Sequence, residues 1–165
     1  MILIALGANL PSAVGPPAVT LRAALMELTR FDIMPVASSR FFVAPAWPNP
    51  NDPSYVNAVA RIESNRAPKD LMAALHEIEA RFGRTRGERN APRPLDLDLL
   101  DYEGRIEKGP PELPHPRIER RGFVLLPLAD VAPGWRHPAS GRSLQELVDN
   151  LPAGERDLPV LKSED

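Results

Sequence analysis

Tyr55-Val56-Asn57-Ala58-Val59-Ala60-Arg61-Ile62-Glu63 is the stretch on which the fold turns. Side chains of a strand alternate between its faces, so Val56, Ala58, Ala60 and Ile62 share one face while Tyr55, Asn57, Val59 and Arg61 share the other. The first set is wholly apolar and belongs on a core. The second places Tyr55 and Asn57 side by side near the start of the strand. Upstream, prolines at 45, 48, 50 and 53 make Ala44 to Pro53 a loop stiffened by fixed φ angles. Before it, Val36 to Val43 is β-prone. Further back, Leu21, Leu25 and Leu28 recur at helical spacing after Pro17, a residue suited to a first helical turn. Met1 to Leu6 is an apolar run that ends at Gly7-Ala8-Asn9, a buried strand entering a turn.

Downstream, Pro68 opens a second helix whose apolar stripe is Leu71, Leu75, Ile78 and Phe82, with Gly83 placed to end it and Glu79 off the stripe. Leu95 to Tyr102 is another strand. The order strand, helix, strand, strand, helix, strand predicts a ferredoxin-like α+β sandwich. Its sheet is mainly antiparallel, with helices packed on one face and the other face free to bind. Pro110 to Pro116 is a rigid turn, Phe123 to Ala129 an apolar segment without a clear period, and Leu144 to Leu151 a short last helix. Residues 1–165 make one domain, with 160–165 a frayed tail.

At 43% hydrophobic and 25% charged residues, the chain can bury one core and still carry a cleft. The absence of cysteine excludes disulfides, thiolate metal sites and a cysteine nucleophile. The start lacks a cationic leader, and no apolar run approaches the roughly 20 residues that span a bilayer. A cytoplasmic protein with no membrane partner is therefore expected. A net charge of −2 gives no field to recruit nucleic acid, although the cations are mostly arginine, with lysine only at 69, 108 and 162.

The densest chemistry lies in Pro94-Leu95-Asp96-Leu97-Asp98-Leu99-Leu100. Period-2 geometry sends both aspartates to one face, their Cα atoms about 6.5 Å apart, close enough for two carboxylates to share a hard cation. An oxygen-only pair suits magnesium, which takes the rest of its shell from water and substrate phosphates. The plainer alternative is an amphipathic strand with a wet face. Immediately before it, Gly83-Arg84-Thr85-Arg86-Gly87-Glu88-Arg89-Asn90-Ala91-Pro92-Arg93 sets four arginines against one glutamate. Guanidinium forks bind phosphate oxygens, so cations beside a carboxylate pair point to a magnesium-bound polyphosphate. Pro114-His115-Pro116-Arg117 and Arg120-Arg121 supply a second donor cluster, which taken alone reads equally as a rigid turn and an exposed helix. Tyr55 and Asn57 fit a flat heterocycle, the ring by stacking and the amide by its donor and acceptor. No Gly-x-x-x-x-Gly-Lys-Ser/Thr loop occurs.

Together, Leu6-Gly7-Ala8-Asn9-Leu10, Tyr55-x-Asn57-Ala58, Gly83-Arg84-x-Arg86, Pro92-Arg93-Pro94-Leu95-Asp96-Leu97-Asp98, Pro114-His115-Pro116-Arg117 and Arg121-Gly122-Phe123-Val124-Leu125-Leu126-Pro127-Leu128 resemble the 6-hydroxymethyl-7,8-dihydropterin pyrophosphokinases. The resemblance runs in order from residue 3 to about residue 134 and is specific as a set. It implies an ATP-dependent diphosphokinase of folate biosynthesis that moves pyrophosphate onto the pterin hydroxymethyl and releases AMP. By similarity, Asp96 and Asp98 hold two Mg2+ ions and Arg84 and Arg93 assist transfer. Glu79, Arg86, His115 and Arg121 match the ATP side, and Tyr55, Asn57 and Phe123 the pterin site. Asn90-Ala91 stands where the family usually has Trp-Gly, and Trp47 is the aromatic that could take that place. The expected partners are ATP and the pterin, without nucleic acid, and a monomer. The competing readings are another magnesium-dependent nucleotidyl- or phosphotransferase, told apart by its products, and a single-stranded RNA-binding module, disfavoured by the missing aromatic cluster.

Overall fold

The computed structural model describes residues 1–84 and 92–162. β1 (Ile2–Ala8) is the central strand, pairing antiparallel with β4 (Tyr55–Glu63) on one side and β5 (Asp96–Tyr102) on the other. β2 (Met34–Ser38) and β3 (Phe42–Ala44) lie along the outer side of β4, β2 against its end and β3 against its start. The main path therefore runs β2-β4-β1-β5. The β-prone stretch expected over Val36 to Val43 is divided here. Ser39 turns inward, its hydroxyl accepting from Val59 N at 2.9 Å, and this breaks the run into two strands.

One face of the sheet carries Ile2, Ile4, Leu6 and Ala8 of β1 with Ala58, Ala60 and Ile62 of β4. Against it pack α1 (Pro17–Glu27) and α2 (Pro68–Arg81), through Leu21, Ala24, Leu71, Ala74, Leu75 and Ile78. Both helices begin on proline, where the missing amide hydrogen has no helical partner to lose. Gly83, at φ +90°, lets the chain leave α2 in the left-handed region, and Arg84 N then donates back to Glu79 O at 3.2 Å.

The α+β class and antiparallel sheet hold, but the expectation of helices on one face only does not. Leu3 and Val59 on the opposite face join Val124, Leu125 and Leu128 of α3 (Gly122–Val131) and Leu144 and Leu147 of α4 (Leu144–Asp149) in a second core. The physical cause is that β1 and β4 bear apolar residues on both faces there, and these need cover. Phe123 to Ala129, of undetermined type in the sequence, is the body of α3. It contains Pro127 and is apolar nearly all round, which hides the helical period. Trp135 Nε1 donates to the buried Asp101 at 2.8 Å, tying the chain after α3 to the end of β5.

Of the tail expected to fray over 160–165, Val160 and Leu161 pair with the sheet, and 163–165 lie outside the described residues. Val43 N donates to Pro159 O and Leu161 N to Phe41 O, both at 2.8 Å. Among the described residues, no helix is long and apolar enough to cross a membrane.

Candidate active site

The second core stops at Ala5 and Val59, and the next row of the sheet reads Phe42, Asn57, Gly7, Asp96 from one edge to the other. Gly7 makes this row usable. A Cβ there would stand 2.9 Å from Asn57 Oδ1 and 3.8 Å from the Tyr55 ring. Its hydrogen leaves a floor between the Tyr55 and Asn57 corner on β4 and the Asp96 and Asp98 carboxylates on β5. A glycine inside an otherwise apolar strand is the sequence signal of such a close approach.

Asn57 is 5% exposed, and its Nδ2 is the one buried side-chain nitrogen or oxygen without a hydrogen-bond partner among the described residues. A buried unpaired donor is costly unless a ligand completes it. Beside it, desolvation raises the Tyr55 pKa, with Arg93 and Arg84 opposing the rise and Asp96 adding to it.

Leu95, just before β5, and Leu97 and Leu99 on it point to the first core, while Asp96 and Asp98 point to the site. Burial, and after it the charge of Asp96, pushes the Asp98 carboxyl up to about 6 against the pull of Arg121, Arg84 and Arg93. A cation would relieve that crowding, which is the fit expected of a metal pair. Among the described residues no third carboxylate or histidine joins them in a metal-binding group.

Arg84 Nη1 spans Glu79 Oε2 at 2.5 Å and Asp96 Oδ1 at 2.6 Å, and Arg93 Nη1 approaches the same Asp96 oxygen at 3.4 Å. Burial works against the Arg84 charge, but the Asp96 and Glu79 carboxylates outweigh it and raise its pKa. Glu79, off the apolar stripe of α2 in the sequence, is only 4% exposed. Its Oε2 also accepts from Leu97 N at 2.7 Å, so it joins α2 to β5 and fixes Arg84. Burial, partly offset by that hydrogen bond and by Arg84, pushes Glu79 up to about 7.

A residue that sequence reasoning missed is Asn9. Its Oδ1 accepts from Arg93 N at 2.8 Å and its Nδ2 donates to Pro53 O at 3.1 Å, so it fixes the backbone that carries Arg93. Asn9 stands in the Leu6–Leu10 motif, but nothing in the local pattern gives it this role.

The far wall comes from the chain after β5. His115 N donates to Leu100 O at 2.9 Å. Burial, helped by Arg121 and Arg117, lowers its pKa to about 4, so the imidazole is neutral near pH 7. Ile118–Arg120 is a single 3-10 turn rather than an exposed helix. Arg121 is half-buried near Asp98, its charge disfavoured by desolvation, and its guanidinium lies 5.3 Å from the centre of the Phe123 ring. Tyr55, Asn57, Glu79, Arg84, Arg93, Asp96, Asp98, His115, Arg121 and Phe123 thus belong to one neighbourhood. Arg86 and Asn90-Ala91 lie outside the described residues, and Trp47 is 70% exposed.

Residues 3–133 match the family model described as 7,8-dihydro-6-hydroxymethylpterin-pyrophosphokinase. The chain belongs to this pyrophosphokinase family. A Pseudomonas aeruginosa relative, named 2-amino-4-hydroxy-6-hydroxymethyldihydropteridine pyrophosphokinase, is 39% identical over 92% of this chain and 91% of its own length. A Synechocystis relative of the same name is 34% identical over 90% of this chain and 74% of its own. The Dictyostelium discoideum protein named Folic acid synthesis protein FOL1 is 38% identical over 61% of this chain but only 16% of its own length, as expected where a pyrophosphokinase-like stretch is part of a larger chain. The family match ends well before the segment that pairs with β3 in this pyrophosphokinase.

Proposed function

We propose that the protein transfers pyrophosphate from ATP to the hydroxymethyl group of 6-hydroxymethyl-7,8-dihydropterin, releasing AMP, as a step of folate biosynthesis. The observation that carries this reading is the row Asn57, Gly7, Asp96, which sets a heterocycle corner with an unpaired amide beside a carboxylate pair. Two strand spacings, about 10 Å, separate its ends. That span suits a bicyclic ring held at one end with its hydroxymethyl arm reaching the other.

Asn57 Nδ2 donates to a ring acceptor while Tyr55 and Phe123 line the ring. Asp96 and Asp98 are the residues to hold two magnesium ions with the nucleotide. Magnesium held there would neutralise phosphate charge and favour ionisation of the acceptor hydroxyl. Arg84 and Arg93 leave the Asp96 oxygen they now share and donate to phosphate oxygens. Glu79 keeps Arg84 aimed. His115 and Arg121, with Arg86, belong to the ATP side. In the reaction the hydroxymethyl oxygen bonds to the β-phosphorus, the bond from that phosphorus to the α–β bridging oxygen breaks, and the hydroxyl proton passes to solvent.

The test is incubation of the purified protein with magnesium, ATP and the pterin, followed by chromatography of nucleotides and pterins. Equal amounts of AMP and pterin pyrophosphate, formed only with magnesium, are expected. ADP in place of AMP would replace this reading by simple phosphoryl transfer.

A further inference from the structure

The two aromatic walls of the acceptor corner come from distant parts of the chain, Tyr55 and Asn57 on β4 and Phe123 at the start of α3. One later segment reaches the back of both. The 3-10 turn Ala153–Glu155 lies so close to Gly122 that a Cβ at position 122 would overlap the Glu155 carbonyl oxygen. Gly122 sits between Arg121 and Phe123. From there the chain runs to residues 159–161 and pairs with β3, with Phe42 opposite Val160. On its other side β3 sets Phe42 opposite Asn57 and Ala44 opposite Tyr55.

This segment adds nothing to either core. Among residues 152–162 none is buried, whereas Leu151, just before them, is 4% exposed and packs in the second core. Its backbone meets the rest of the molecule at Gly122 and at β3. A stretch that makes backbone ties to both walls of a pocket, without filling a core, controls geometry more than global stability.

We infer that residues 153–161 form a strap that fixes the spacing of the acceptor pocket, so that they are positioning residues for the pterin although they do not touch it. The inference rests on the pyrophosphokinase reading of the site. The segment lies beyond the stretch matched by the family model.

The experiment compares the full chain, its Leu161→Pro variant, which lacks the N–H donated to Phe41 O, and a chain ending at Pro152. Dissociation constants for 6-hydroxymethyl-7,8-dihydropterin and for a magnesium-bound non-hydrolysable ATP analogue are read by calorimetry, and Tm is read beside them. Both altered chains are expected to weaken pterin binding at least about fivefold while nucleotide binding stays within about twofold. Gly122→Ala, which drives a methyl into the Glu155 carbonyl, should weaken pterin binding in the full chain and add nothing in the shortened one. Unchanged pterin affinity, an equal loss for both ligands, or a Gly122→Ala defect of the same size at both lengths would overturn the strap. A full chain that binds the nucleotide analogue but no pterin would sink the acceptor assignment itself, and the strap with it.

Discussion

Asp98 shows how a single residue can oppose folding and serve the reaction. Its carboxyl is raised to about 6 by burial and by Asp96, so the charge needed to hold a cation is one that the unliganded fold disfavours. Asp98→Asn keeps the shape and removes that charge. It is expected to lower kcat by at least about 100-fold while leaving Tm unchanged or raised, as read by steady-state kinetics and thermal unfolding of the same preparations. Equal losses of activity and stability would make Asp98 structural. The aspartates were legible in sequence because alternation with leucine fixes which way they face. Glu79 and Asn9 were not legible in the same way. What sets them is a pairing across space, Glu79 with Leu97 N and Arg84, and Asn9 with Arg93 N and Pro53 O, which no local pattern encodes.

Among the elements, β1 owes its use to a side chain it lacks. Gly7→Ala sets a methyl against Asn57 Oδ1, in a strand whose two neighbours prevent retreat. The amide must turn, so pterin affinity should fall several-fold with nucleotide affinity kept, a split that titration with each ligand in turn would show. Unchanged pterin binding would mean that the floor of the corner lies elsewhere. β4, β5, α1 and α2 follow from sequence because each has a readable period or a proline at its start, and β1 because a short apolar run ends at a glycine turn. α3 escapes that logic, since Phe123 to Ala129 is apolar without interruption and contains Pro127. The partition of β2 from β3 depends on the inward turn of Ser39, and the tail pairs through backbone groups that carry no sequence signature.

For the whole molecule, three desolvated groups make stability depend on pH in opposing directions. His115 has a folded pKa of about 4 against an ordinary 6.5, so between these values the unfolded chain binds more protons and acidification destabilises the fold. Glu79 and Asp98 go the other way. Their folded values, about 7 and about 6, lie above the ordinary 4.5 and 3.8, so stability is greatest at low pH and is lost as pH rises through those windows. Urea unfolding at a series of pH values should show His115→Gln losing less stability than the parent between pH 6.5 and 4, and Asp98→Asn losing less between pH 4 and 6. Identical pH slopes in all three proteins would mean that these groups do not control the profile.

The central place of β1 also sets when the protein becomes an enzyme. Ala5 is opposite Val59 on one side and Asp98 on the other, so both partners must come from far along the chain before the middle of the sheet exists. Pairings this remote are slow because a long loop must close before any contact rewards it. The helices can form early and the apolar faces can collapse without them. The ring corner and the carboxylates meet only when β1 settles between β4 and β5, so the site cannot be complete before these long-range pairings are.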